Sequence, residues 1–443
     1  MRQKTGNNNC FYMRFGSFLK KIVGITMCST LVMTGMSGCR IQYVEDETTS
    51  EETAATQNVE DSRIDINLWY DDEIFSEYLS LCASQYEKAN ENVHINLEYI
   101  PEADYMDMLT SEAVKPGKVD LYLVDNDKLE QVKLAGIASE NRLTDIYNVY
   151  NYSQKALDAC TYKDKLIAYP LSFDTSFLIY NRDYVQEADM SNFEAIKLFA
   201  ENLEVPAGSS ITSVFTCDLK DIFYNYGYLG AYLDIGGKTG DDKSVIFDIT
   251  TELTRASELY KQLIEYFYID INSVDYYSCI NDFEKGSIVF TIGDMKMYQR
   301  AKVQDGLNVG TQAFPDMSTD IASSPLSVTT TVVVNPFSDD IEVVESFAKF
   351  LTYTNVEKLY ENAGVPSCRR IDNEDDNLDR IYESYDKSVP KLKLMYSDEF
   401  YALLEVSMHR LADGTGDVQI LSNVRDYLYK NWQSDSEVDV NEQ

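Results

Sequence analysis

The feature that most constrains the fold is a regular alternation of strand-like and helix-like segments between residues 64 and 136. Ile64, Ile66 and Leu68 alternate with polar residues, as in a half-buried strand, and the apolar residues that follow recur at helical spacing. The same two patterns occur twice more. The predicted strands are 64–68, 93–99 and 120–124, and the predicted helices are 75–86, 102–114 and 127–135. This order predicts an α/β fold with a mainly parallel sheet flanked by helices.

Polar clusters follow the first and the third of these strands, at residues 69–72 and 125–127. In parallel sheets ligands sit beyond the carboxyl ends of the strands, so both clusters are expected on one rim of the sheet. A turn-capping role is the alternative for each aspartate. The candidate ligand-binding residues at this rim are Tyr70, Asp71, Asp125, Asn126 and Asp127.

The N-terminal segment has the features of an export signal. Two lysines precede an apolar run, 22–34, that is short for a membrane span, and no acidic residue comes before it. The glycine and Cys39 that end the segment resemble the bacterial lipobox, although Met36 stands where leucine or valine is commoner. We therefore predict that 1–38 is a lipoprotein signal peptide, that Cys39 carries the lipid, and that the protein is held at the extracellular face of the cell membrane of a Gram-positive bacterium.

The next segment, 39–62, is rich in Glu, Asp, Thr, Ser, Ala and Gln and contains almost nothing to bury. Such a composition does not offset the entropy of ordering, which predicts an acidic, flexible tether. The formal net charge is −36, and removal of the signal peptide with its five basic residues lowers it to −41. Nucleic acid is therefore excluded as a partner, because no basic stripe is available to neutralise phosphates.

Cysteine and histidine usage argues against a metal site or a cofactor. Five cysteines follow Cys39 at spacings of 57 to 89 residues, which suit neither a zinc knuckle nor a small disulfide scaffold, and only His94 and His409 are present. Nucleophile-elbow, P-loop, HExxH and dinucleotide-binding glycine motifs are also missing from the sequence, so no catalytic residue is predicted. The cysteines expected to be buried, apolar thiols are Cys82, Cys160, Cys217, Cys279 and Cys368.

A set of short motifs in a fixed order resembles the extracellular solute-binding proteins of carbohydrate ABC importers, the bacterial family 1 proteins of the maltose-binding type. The resemblance extends from about Asp65 to Trp432, and the order and spacing of the motifs carry it. The motifs are Tyr86–Asn90 before Val93–Asn96, then Asp120–Tyr122, Lys165–Pro170, Tyr180–Asp183, Phe283–Gly286 before Ile288–Phe290, and Ile341–Phe350 before Leu351 and Thr352.

This resemblance implies two α/β lobes joined by crossing segments, with a ligand in the cleft and closure by hinge motion. Pro170–Thr175 has the extended, proline-led character of a crossing, and Val328–Val334 is a β-branched run suited to the sheet of the first lobe. The expected division is lobe one at 63–171 plus 320–365, and lobe two at 172–319 plus 366–443.

The second half of the chain supplies further candidates. Asp174 follows the crossing, where a carboxylate can accept hydrogen bonds from ligand hydroxyl groups, or can cap a turn instead. Tyr226 and Tyr228, together with Tyr224, can stack on a sugar face, although packing is the alternative in a chain with 33 tyrosines.

Three more candidates come from the resemblance. Asp294 and Met295 lie where the family often has Gly-x-Trp, so methionine removes the aromatic platform for a sugar ring. Tyr401, after Phe400, lies at the place of another aromatic wall of the family and is expected to substitute.

The function expected from the resemblance is the substrate-binding subunit of an ABC importer, a monomer that presents a solute, expected to be a sugar or oligosaccharide, to membrane permease subunits. The alternatives are a sensor that reports its ligand to a membrane kinase, and a surface glycan-processing enzyme that uses Asp71, Asp127 or Asp174. Because this tryptophan is missing, a solute other than a sugar remains an alternative.

Overall fold

The structure, a computed structural model, describes residues 63–186, 190–371, 375–395 and 397–439. The predicted signal peptide, the lipid-bearing Cys39 and the tether 39–62 lie outside the described residues. Within those ranges, none of the helices combines the length and the apolar character that a membrane span requires.

The strands of the described part form two main sheets and a short hairpin. The strands are β1 (Ile64–Tyr70), β2 (Val93–Tyr99), β3 (Leu121–Asp125), β4 (Thr161–Tyr162), β5 (Lys165–Leu166), β6 (Tyr169–Thr175), β7 (Phe177–Asn181), β8 (Ser213–Phe215), β9 (Ile288–Gly293), β10 (Val309–Gln312), β11 (Leu326–Val334) and β12 (Val389–Pro390). The first sheet has the order β12-β11-β3-β1-β2, and β6 pairs with β11 as well. The second sheet has the order β10-β7-β9-β8, and β4 pairs with β5.

Helices flank both sheets. In α1, for example, Tyr78, Leu79, Cys82 and Tyr86 fall on one face and are buried. The helices are α1 (Ser76–Ala89), α2 (Glu102–Glu112), α3 (Leu129–Leu134), α4 (Gln154–Cys160), α5 (Phe193–Asn202), α6 (Ile222–Asn225), α7 (Thr251–Phe267), α8 (Tyr276–Glu284), α9 (Met295–Lys302), α10 (Ile341–Lys349), α11 (Leu359–Ala363), α12 (Asp376–Asp386), α13 (Ser397–Ala412) and α14 (Leu421–Asp439).

The predicted parallel sheet is confirmed for the first three strands. β1 pairs in parallel with both β2 and β3, with Leu68 opposite Leu121. The carboxyl ends of these strands therefore lie at one edge of the sheet. β11 runs antiparallel to β3 on one side and to β6 on the other, which places Thr330 opposite Asp125 and Val328 opposite Asp174.

The passage between the two sheets differs from the expectation at its start. Pro170–Thr175 was expected as the crossing, but it is the strand β6, which pairs with β11 as far as Thr175. Only Ser176 separates β6 from β7, the next strand, which belongs to the second sheet. Sheet pairing therefore favours a first crossing after Thr175 rather than after Leu171.

The segment after residue 366 also differs from the expectation. It was assigned to lobe two, but β12 pairs with β11 in the first sheet. The ring of Tyr385 in α12 stacks on Phe173 of β6 at a centroid distance of 3.9 Å. α12 also contacts the second sheet, since its Asn377 accepts a hydrogen bond from the Thr311 amide of β10 at 3.0 Å. The segment therefore runs along both sheets, and the chain enters the second core at Leu392 and Leu394. By contrast, β11 lies in the first sheet, as its β-branched sequence indicated.

The five cysteines that follow Cys39 confirm the prediction made for them. All five are buried and none forms a disulfide. Cys217, for example, lies in the core of the second sheet, where its Sγ is 3.0 Å from the hydroxyl oxygen of Tyr228. Burial raises the pKa of these thiols, which keeps them protonated and apolar.

Candidate functional site

A cavity of about 400 Å³ lies at the carboxyl ends of β1, β2 and β3, where the sequence predicted a ligand rim. Its lining includes five acidic residues and no basic one. The acidic residues are Asp71, Asp72, Glu73, Glu102 and Asp125, and the remaining lining residues are Phe75, Tyr99, Val124 and Thr330. A larger cavity of about 870 Å³ lies beside β8 and α7, at the edge of the second sheet, away from this cluster of carboxylates.

Asp71 follows the end of β1 and is partly buried. Burial raises the pKa of its carboxyl group to about 6, and the negative charges of Glu102, Asp72 and Asp127 add to the shift. Proximity of like charges and loss of water both favour the protonated form. Asp71 therefore exchanges its proton close to neutral pH, and a charged or hydrogen-bonding ligand can change its state.

Asp125 ends β3 and faces Thr330 across the β3–β11 pair. The hydroxyl group of Thr330 donates a hydrogen bond to Asp125 Oδ1 at 2.9 Å. The pKa of Asp125 is raised to about 7 by burial and by the charges of Asp127 and Asp71, against the lowering effects of the Thr330 hydrogen bond and of Lys391. Asp71 and Asp125 thus form an acidic pair that lines the cavity, and the charge of Asp71 acts on Asp125.

The two residues that follow Asp125 have different roles. Asn126 is fully buried, where its Nδ2 donates to the Lys391 carbonyl oxygen at 2.7 Å and its Oδ1 accepts from the Thr329 amide at 2.8 Å. These hydrogen bonds join β3 to β11 and to Lys391, and the Asn126 side chain does not line the cavity. The side chain of Asp127 is only 9% exposed, and its Oδ2 lies 3.5 Å from Lys128 Nζ and 3.9 Å from Lys391 Nζ. Its buried Oδ1 has no hydrogen-bond partner among the described residues.

Asp174 links the first sheet to the start of α9. Its Oδ1 accepts hydrogen bonds from the backbone amides of Thr175, at 2.8 Å, and of Met295, at 3.3 Å. In the described part of the chain no hydrogen bond reaches its Oδ2, which leaves that oxygen available to a ligand. Burial raises the pKa of Asp174 well above its ordinary value, and the charges of Asp294 and Asp125 add to the shift.

Asp294 extends the acidic line into the second lobe. It caps α9 by accepting from the Met297 amide at 2.7 Å, and it also accepts from the hydroxyl groups of Tyr224, at 2.8 Å, and Tyr276, at 3.3 Å. The two tyrosine rings stack at a centroid distance of 5.6 Å. Burial, followed by the charge of Asp294, raises the pKa of both tyrosines, so both hydroxyl groups keep their protons and donate.

Two of the predicted site tyrosines pack in the core of the second sheet instead. Tyr226 is buried and its hydroxyl group donates weakly to the Leu233 carbonyl oxygen at 3.4 Å, while Tyr228 is fully buried against Phe193 and Phe314. Tyr224, two residues earlier, contacts Asp294. Tyr224 of α6 packs in the same core but its hydroxyl group reaches Asp294, whereas Tyr226 and Tyr228 lie in the short turn that follows α6.

Three further candidates are also placed away from the cavity lining. The Tyr401 hydroxyl oxygen accepts from the Leu392 amide at 3.0 Å in the second core, and the Met295 side chain is buried, so only its backbone amide takes part, through Asp174. Tyr70 is buried beneath the rim, with its hydroxyl oxygen 3.1 Å from Ser76 Oγ. Its ring lies 5.7 Å from that of Tyr99, which does line the cavity.

Sequence reasoning missed Tyr99, Glu102, Tyr276 and Thr330. Tyr99 was detectable, since it ends the second of the three parallel strands and the strand-end rule applies to it as well. Tyr276 lies about fifty residues from Tyr224, and nothing local in the sequence indicates that both reach Asp294.

The fold agrees with that of similar proteins. A family model described as bacterial extracellular solute-binding protein matches residues 82–369. The maltodextrin-binding protein MdxE of Bacillus subtilis (strain 168) is 21% identical over 373 residues, which cover 80% of this chain and 86% of that protein.

Two solved structures are similar over most of their length. The extracellular solute-binding protein from Staphylococcus aureus in complex with maltose has a TM-score of 0.73 at 16% identity. The aligned region covers 83% of this chain and 98% of the Staphylococcus aureus protein. The maltose-binding protein MalE from Listeria monocytogenes in complex with maltose has a TM-score of 0.70 at 17% identity, with coverages of 84% and 98%. The architecture is therefore that of the two-lobed maltose-binding proteins, and because the family model matches well over half of the sequence, the chain belongs to the bacterial extracellular solute-binding proteins.

Proposed function

We propose that the chain is the substrate-binding subunit of an ABC importer and that it captures a saccharide between its two lobes. The observation that carries the proposal is the line of carboxylates that runs from Asp71 and Asp125 through Asp174 to Asp294. This line joins the strand ends of the first sheet to the helix that follows β9 of the second. A ligand held along it contacts both sheets, which is what a hinge-closing binding protein requires.

The residues present suit a polyhydroxylated ligand. Carboxyl groups exchange hydrogen bonds with ligand hydroxyl groups, and Oδ2 of Asp174 has no hydrogen-bond partner among the described residues. Tyr99, which is 45% exposed at the cavity, offers an aromatic face for a pyranose ring. The reported relatives are named for maltodextrin or were solved with maltose, which supports the same class of ligand.

The proposal is binding without chemical conversion of the solute. The relatives described above are named as binding proteins. Paired carboxyl groups with raised pKa values also occur in glycosidases, so the test has to include the state of the bound solute.

A thermal-shift screen followed by calorimetry tests the proposal. The purified protein is mixed with neutral and aminated oligosaccharides, peptides and polyols, and the solute recovered from the complex is then analysed. We expect a saccharide to raise the melting temperature, since a ligand at one hundred times its Kd adds about 2.7 kcal/mol to stability. Recovery of the intact saccharide is expected. A shift only with peptides, or recovery of a cleaved saccharide, would contradict the proposal.

We also propose that a lipid on Cys39 anchors the protein at the extracellular face of the membrane, beside the permease subunits. In the sequence, a small residue precedes Cys39 and the acidic tether follows it. We expect Cys39→Ala to release the protein from the membrane fraction, with Cys28→Ala as the matched control that stays membrane-bound. Equal retention of Cys39→Ala and the parent would show that the lipobox interpretation is wrong.

A further inference from the structure

We propose that the solute held in the carboxylate-lined cavity is a cation, a small molecule that carries one or more protonated amines. This inference rests on the proposed function, whose class of solute it narrows. An aminated sugar and a short polyamine share this chemistry, and the experiment below distinguishes them.

The composition of the lining is the first reason. Five of its nine residues are acidic and none is basic. Ion pairs in the described residues leave Asp71, Asp125, Asp174 and Asp294 without a cationic partner, because the nearby lysines, Lys128 and Lys391, pair with Asp127. Within the described residues, only bound protons therefore offset the negative charge of the cavity.

Asp127 supplies an independent sign of a missing partner. Its side chain is nine-tenths buried, and its Oδ1 has no hydrogen-bond partner among the described residues. The nearest lysine nitrogens lie 3.5 Å and 3.9 Å from Oδ2, not from Oδ1, and 3.9 Å is too long for a hydrogen bond. The charge of Asp127 acts on both Asp71 and Asp125. Asp127 does not line the cavity, but its incompletely paired charge adds to the negative potential that a cation in the cavity would experience.

Closing the cleft makes the charge imbalance worse. A neutral solute would displace water from several carboxylates and leave them to repel one another at a lower dielectric constant. An amine would instead form charge-assisted hydrogen bonds to the same oxygens. The exposed ring of Tyr99 adds a cation–π surface at the mouth of the cavity.

The side of the cleft that is expected to stack on a neutral sugar ring has no aromatic platform at Met295. Met295 stands where the resemblance places a tryptophan platform, and its side chain is buried. Recognition therefore depends more on the carboxylates than on stacking against an aromatic floor.

The test is a set of calorimetric titrations at low ionic strength and near neutral pH. The four probes are the β-1,4-linked glucosamine disaccharide, its fully N-acetylated counterpart, maltotriose and spermidine. We expect the amine-bearing disaccharide to bind at least tenfold more tightly than its acetylated counterpart, and added salt to weaken its binding markedly. If spermidine binds and the disaccharide does not, the solute is still a cation, but the saccharide part of the proposed function fails.

Variants locate the effect. Asp125→Asn and Asp71→Asn should each reduce the preference for the amine by several-fold, while Asp145→Asn, which removes the same charge from an exposed position outside the lining, should leave it unchanged. Tighter or equal binding of the acetylated disaccharide or of maltotriose would overturn the inference and leave the capture of saccharides intact. Failure of all four probes to bind would count against both.

Discussion

At the residue scale, we expect solute binding to depend most on Asp174. Its Oδ1 accepts hydrogen bonds from the backbone amides of Thr175 and Met295, which leaves Oδ2 to a ligand. We expect Asp174→Ala to weaken solute binding by about 1.5 to 3 kcal/mol, roughly ten- to more than hundredfold in Kd. Calorimetry with the solute found by the screen measures this. Asp417→Ala, which removes the cap of a short turn next to α14, is the control.

The two possible roles of Asp174 can be separated. A loss of melting temperature without a specific loss of affinity would show that Asp174 serves only to cap the turn. Unchanged affinity with unchanged stability would remove it from the site. Asp174→Asn keeps an acceptor oxygen for the two amides and is the variant to use if the alanine variant is poorly folded.

The acidic pair at the rim predicts an unusual dependence of stability on pH. Because the pKa of Asp125 is raised to about 7 in the folded protein, from about 3.8, the folded state binds more protons than the unfolded state between these values. The free energy of unfolding that Asp125 contributes therefore falls as the pH rises from 4 to 7. Asp71, with a pKa raised to about 6, acts in the same direction.

We expect Asp125→Asn, without ligand, to melt about 1–3 °C higher than the parent at pH 8 and close to the parent at pH 4. Differential scanning calorimetry at the two pH values measures the difference, with Asp145→Asn as the control of equal charge. A variant that melts lower than the parent at pH 8 would show that the carboxylate of Asp125 is stabilised rather than strained.

At the scale of elements, the start of α9 gathers groups from distant parts of the second lobe. Asp294 caps the helix and accepts from Tyr224 and Tyr276. Tyr276→Phe keeps the ring but removes one donor, so we expect a loss of solute affinity of about 0.5–1.5 kcal/mol, because Asp294 then loses part of its orientation. The neighbouring Tyr277, which is 67% exposed, gives the matched control Tyr277→Phe. Equal affinities of the two variants would exclude α9 from the site.

Elements with a strong local pattern could be predicted from the sequence. β1 and β2 follow the alternation of apolar residues closely, and α3 ends before Gly136, whose φ of +75° favours glycine. Pairings between distant segments have no such signal. Nothing local indicates that β6 stays in the first sheet as far as Thr175, or that β12 pairs with β11 some sixty residues away.

The same limit applies to the site. Asp71 and Asp125 follow from the strand-end rule, and Asp174 and Asp294 from their places along the chain. Tyr224, Tyr226 and Tyr228 look alike in the sequence and all three pack in the second core, and only the packing of α6 and the turn after it decides that the Tyr224 hydroxyl group reaches Asp294.

For the whole molecule, the short connection between the sheets matters most. β6 and β7 are separated by Ser176 alone, and the chain returns to the first sheet between β10 and β11 and leaves it again after β12. Rotation about a few such connections can bring Asp294, which follows β9 of the second sheet, closer to Asp71 and Asp125 of the first. The carboxylates lose water in the process, which makes their interactions with the solute stronger.

Small-angle X-ray scattering of the purified protein, with and without a saturating amount of the solute that the screen identifies, measures whether the two lobes close on a solute held between them. We expect a smaller radius of gyration for the complex, and a loss of that change in Asp174→Ala at the same solute concentration. A radius of gyration that stays unchanged when calorimetry shows full occupancy would contradict this expectation, and would indicate a rigid site on one lobe.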